Sequence, residues 1–129
     1  MTDKDLRHPL KVARGLGSSR SGTGHWWTQR VTATALVVLM IWFVITLLSL
    51  LHASYATALA TVAKPWNATL LIAFLITMFW HAALGLQVVI EDYVHTRLKE
   101  VLSLVLIKFL AVLGALASVL AVLRIALTH

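Results

Sequence analysis

From Val31 to Leu51 the chain runs for 21 residues without a formal charge, and this run limits what it can fold into. As an α-helix it measures about 31 Å, at 1.5 Å of rise per residue, which matches the thickness of a hydrocarbon core. A helix that is apolar all round does not suit a surface position on a soluble domain, where one face must meet water. A second uncharged stretch extends from Trp66 to Ile90, and a third from Val101 to Leu123 is interrupted only by Lys108. Lipid offers no water to backbone N–H and C=O groups, so each stretch is expected to cross as a helix that satisfies its own hydrogen bonds. The sequence thus predicts an all-α integral membrane protein with three transmembrane helices, over about 31–51, 67–90 and 101–123. Composition agrees: 60% of the 129 residues are hydrophobic and 12% charged, against roughly 45–50% and 25% in soluble domains. The net charge of +6 therefore does not mark a nucleic-acid-binding domain, which needs a soluble face to carry its basic patch.

The charges instead report orientation. Lys4, Arg7, Lys11, Arg14, Arg20 and Arg30 precede the first span, Lys64 alone lies between the first two, and Arg97 and Lys99 lie between the second and third. The positive-inside rule puts the N-terminus and the second loop in the cytoplasm. Lys108 and Arg124 are expected to snorkel to the inner and outer surfaces. Residues 1–24 read as a basic cytoplasmic N-terminal segment and 25–129 as a three-helix membrane domain. Gly15 to Gly24 has linker composition and is either a disordered tail or a segment laid on a partner. The first span begins too far into the chain, and is too long, for a cleaved signal peptide.

An ionisable side chain inside a membrane helix is costly, and His81 lies close to the middle of the second span. It reads either as a neutral histidine bonded to a neighbouring helix or as an axial ligand to haem iron. Gly85, one turn on along the same face, leaves room for a flat macrocycle or for close helix packing. Because the chain has no cysteine, disulfides, thiolate zinc sites, iron–sulfur clusters and thioether-linked haem are all excluded. Any haem is then non-covalent and b-type. His52 and His95 each lie about 20 Å from His81 in depth, so a second axial histidine must come from another chain. Asp92 and Tyr93 sit where the second span meets the cytoplasmic surface, about 18 Å from His81, at a depth that suits a lipid-soluble quinone. There Tyr93 is either an interfacial anchor or a hydrogen-bond donor beside a proton-relaying carboxylate.

The run from His81 through Ala82, Gly85, Val89 and Asp92 to Tyr93 resembles the second-helix signature of succinate dehydrogenase hydrophobic membrane anchor subunits. Gly24-His25-Trp26-Trp27-Thr28-Gln29-Arg30-Val31-Thr32-Ala33 resembles the start of that family's first helix, particularly in bacterial members. The H-R-x-T-G motif of the sister cytochrome b556 subunit does not occur. The resemblance implies that His81 ligates a haem b shared with a cytochrome b556 partner, which supplies the second ligand. It implies that Arg30 and His25 neighbour the haem propionates, and that Tyr93, with Asp92, meets ubiquinone. The implied role is to fasten a flavoprotein and an iron–sulfur subunit of respiratory complex II to a bacterial inner membrane. Such a complex links the tricarboxylic acid cycle to electron transport, and this chain is not catalytic alone. A fumarate reductase anchor, and a non-redox membrane scaffold or transporter subunit, are the competing readings.

Overall fold

The computed structural model describes residues 22–128; Lys4, Arg7, Lys11, Arg14, Arg20 and most of the Gly/Ser-rich segment lie outside them. The described residues form α1 (Gly22–Ser49), α2 (Tyr55–Ala63), α3 (Pro65–Tyr93) and α4 (Arg97–Thr128), without a strand. The three long helices are each long and apolar enough to cross a membrane, as the uncharged stretches lead one to expect.

Each is longer than its uncharged stretch. Hydropathy marks where lipid begins, whereas a helix continues for as long as its i→i−4 bonds are made. Gly22, Thr23 and Gly24, linker-like in composition, form the first turn of α1. Trp26 and Trp27 follow, exposed and stacked with ring centroids 5.9 Å apart. At its other end α1 tightens into i→i−3 bonds, Leu50 N–H donating to Leu47 O and Ala53 N–H to Leu50 O.

Hydroxyl groups along the spans are absorbed by their own helices. Thr34 donates to Arg30 O at 3.0 Å, Thr46 to Trp42 O at 2.9 Å and Thr69 to Pro65 O at 2.8 Å. Unpaired in a hydrocarbon-like medium, each would cost roughly 2–7 kcal/mol. The short helix α2 is capped by Ser54, whose Oγ accepts from Thr57 N–H at 3.2 Å. Pro65 then opens α3, where its missing N–H costs nothing. Asn67 Nδ2 reaches back to Thr61 O at 2.8 Å and fixes the elbow between α2 and α3.

The helix α3 is central. It packs against α1 on one side and α4 on the other, α1 and α4 do not meet, and α2 folds against α3 and α4. Phe43 stacks on buried Phe74 at 4.8 Å, which locks α1 to α3. Gly114 lets α4 approach Phe79, because a Cβ there would lie 2.5 Å from the ring edge. We expect Gly114→Leu to destabilise the folded protein by roughly 1–3 kcal/mol through overpacking. Gly24→Ala, with nothing within 4 Å of its added Cβ, should leave stability near wild type. Thermal denaturation in detergent compares the two. This open row buries few side chains, and Val37, Ile41, Ile45 and Leu48 form an exposed apolar stripe along α1. Lipid or other transmembrane helices must cover such a surface.

Candidate functional site

Polar side chains converge on the seam between α1 and α3. On α1, His25, Gln29 and Thr32 are spaced four and then three residues apart, so they share one face. On α3, His81 and Gly85 are one turn apart and face them. The helices run antiparallel, so Thr32 lies level with His81 and Gln29 with Gly85. Thr32 Oγ1 is 2.9 Å from His81 Nδ1. The same hydroxyl lies 2.8 Å from Thr28 O and 3.1 Å from Gln29 O. His81 is half-buried, and its Nε2 forms no hydrogen bond among the described residues.

Two further atoms on this seam have no partner among the described residues. His25 Nε2 and Gln29 Oε1 are buried and make no hydrogen bond there. Each such group is costly to leave unmade, which points to a partner beyond the described residues. A Cβ on Gly85 would meet only Gln29 Nε2, at 3.8 Å, an ordinary van der Waals distance, so the Gln29 amide lies against the α3 surface one turn from His81. His25 lies about 10 Å from Thr32 along α1, seven residues at 1.5 Å each, and so not at the depth of His81. Among the described residues no three His, Asp or Glu side chains cluster.

The other candidate residues stand apart from this seam. Arg30 is exposed on another side of α1, about 140° round from His25, with its guanidinium carbon 5.6 Å from the Trp26 ring centroid. Asp92 and Tyr93 are exposed at the C-terminal end of α3, about 18 Å from His81 along the axis. The two groups therefore form separate sites. Beside them Gln87 Nε2 donates to Glu91 Oε1 at 2.7 Å, and His95 Nδ1 lies 3.1 Å from Tyr93 O. His52 is exposed in the turn after α1. On its far face α3 makes a groove of about 420 Å³ with α4, apolar except for Gln87 and Lys108.

Sequence reasoning picked out His81 and His25, whereas Gln29 and Thr32 stood in the first-helix run without a role. The signal was there: three polar residues at helical spacing where an apolar span begins.

Comparison with known proteins identifies a family over nearly the whole chain. Residues 4–122 match the family described as succinate dehydrogenase/fumarate reductase transmembrane subunit. The succinate dehydrogenase hydrophobic membrane anchor subunit of Rickettsia bellii is 32% identical over 118 residues, covering 92% of this chain and 94% of that one. The protein of the same name from Paracoccus denitrificans is 36% identical over 85 residues, 66% of each chain. The succinate dehydrogenase membrane anchor subunit of Reclinomonas americana is 28% identical over 97 residues, 73% of this chain and 81% of that one. No solved structure gives a significant match. An all-helical chain with three membrane-crossing helices that matches these proteins over nearly its whole length belongs to the succinate dehydrogenase membrane anchor family.

Proposed function

We propose that this anchor subunit binds a b-type haem through His81, shares it with a cytochrome b556-type partner, and helps to build a ubiquinone-reducing site with Tyr93 and Asp92. The observation that carries this reading is the α1–α3 seam. A half-buried histidine with a free Nε2 lies there one turn from a glycine, on a seam with two polar atoms that have no partner among the described residues. A neutral imidazole nitrogen in an apolar setting is the ligand haem iron takes. His25 Nε2–H can donate to a propionate carboxylate. So can the Gln29 amide, whose oxygen and nitrogen exchange places by a half-turn. Arg30 contributes positive charge from the outer side of α1. With no second histidine level with His81 among the described residues, the other axial ligand falls to the partner subunit.

When bound, the haem would supply a one-electron redox centre within the membrane domain. Reducing ubiquinone to ubiquinol takes two electrons, arriving through an iron–sulfur partner, and two protons. Tyr93 donates a hydrogen bond from its phenol to a quinone carbonyl and so orients the ring. Asp92 lies where cytoplasmic water reaches it and passes protons to the quinone oxygens. The apolar spans hold both groups at the membrane surface, where a lipid-soluble quinone and water-soluble flavoprotein and iron–sulfur subunits can meet. The basic residues before and at the start of α1 put the N-terminus on the cytoplasmic side, and the Rickettsia and Paracoccus relatives support a bacterial inner membrane.

Tagging the chain and extracting it in mild detergent tests the assembly. A flavoprotein, an iron–sulfur protein and one further membrane subunit should co-purify, with succinate-dependent ubiquinone reduction. Recovery of the chain with no flavoprotein would contradict the reading.

A further inference from the structure

Thr32 makes a contact that neither haem ligation nor helix packing by itself requires. Its Oγ1 lies 2.9 Å from His81 Nδ1, 2.8 Å from Thr28 O and 3.1 Å from Gln29 O. A hydroxyl has one proton and two lone pairs. Both carbonyl oxygens are acceptors only, one turn back on the same helix, so they take the proton. The face of Oγ1 turned towards α3 is then a lone pair, and the matching group on His81 is Nδ1–H. In a neutral imidazole only one nitrogen carries hydrogen, so Nε2 is left as the free lone pair.

We propose that Thr32 is a positioning residue for the haem ligand. It holds the His81 ring in one orientation and in the tautomer that presents Nε2 to iron. The proposal rests on the reading of His81 as an axial ligand. The chain of contacts begins in a peptide carbonyl of α1, passes through one hydroxyl and ends on a side chain of α3. The position of the ligand is thereby coupled to the packing of α1 on α3. The bond also polarises the ring: an acceptor on Nδ1–H makes Nε2 a stronger donor to the metal. A stronger donor favours ferric over ferrous iron and lowers the midpoint potential.

The test uses the whole complex, purified with its partners, carrying Thr32→Val, Thr32→Ala or Thr32→Ser. Haem midpoint potential is read by redox titration, and haem retention by the rate of loss to an apo-globin acceptor. Valine keeps the volume and removes the acceptor, and alanine leaves only a small void. Both should raise the potential and speed haem loss by roughly 10-fold or more, the usual cost of removing an outer-shell partner. Serine, which keeps the hydroxyl, should stay near wild type in both. Assembly that fails with valine and alanine but recovers with serine also supports a need for the hydroxyl. Wild-type potential and retention in the valine variant would overturn the proposal. So would a serine variant as impaired as valine, because the methyl group and its packing would then be what matters. His81→Leu in the same series separates the two ideas: a b-type spectrum that survives it removes the ligand reading itself. Loss of the spectrum there, with no effect of valine or alanine at 32, removes only the role of Thr32.

Discussion

Replacing His81 with leucine is expected to abolish the b-type α-band in the reduced-minus-oxidised spectrum of the purified complex. Oxidation of succinate by an artificial dye should continue. The fold has reasons to tolerate the change. Leucine is comparable in volume and at home in a membrane helix. The one group that loses a partner, the Thr32 hydroxyl, keeps the Thr28 and Gln29 carbonyls within reach. No buried polar atom is newly orphaned, so the destabilisation seen when half of a buried polar pair is removed should not arise. What disappears is the nitrogen donor. His81→Met, which restores an axial donor of a softer kind, should recover haem with a raised potential. An α-band unchanged in the leucine variant would mean that other chains hold the iron. His81 would then serve only to bridge α3 to Thr32.

The second large effect is expected at the other end of α3. Tyr93→Phe should slow ubiquinone reduction by roughly 3- to 10-fold, the worth of one neutral hydrogen bond expressed as a rate. Dye-linked succinate oxidation and the haem spectrum should stay as they are. Tyr93 is 78% exposed and its hydroxyl makes no bond among the described residues, so phenylalanine removes nothing the isolated fold depends on. The separation of about 18 Å from His81 is what makes the two variants independent. Equal ubiquinone rates in variant and wild type would take Tyr93 out of the site.

The architecture was largely legible in the charges. Lipid excludes formal charge at a cost of several kcal/mol per group, so the runs beginning at Val31, Trp66 and Val101 mark the spans with little ambiguity. Helix ends were less legible. Gly22 to Arg30 lie beyond the uncharged run, yet their backbone bonds continue the helix. The helix α2 was missed because nine residues between two spans are too short to stand out beside them; its start depends on the Ser54 cap. His81 stood out because an ionisable group is rare at that depth. Thr32 and Gln29 did not, because threonine and glutamine are unremarked in any helix. Only the packing of α1 on α3 brings them to His81 and Gly85. His25 and Arg30 appear as a pair in the linear sequence, but the step of five positions from one to the other turns the helix by about 140° and gives them different surroundings.

The central claim is that this chain carries one half of a haem site in a complex that oxidises succinate. Its most direct test is the ratio of extractable haem to flavin in the complex purified through this subunit. The account predicts close to one protohaem per flavin, released by acid–acetone because no cysteine tethers it. A fully active complex with flavin and no haem would contradict it.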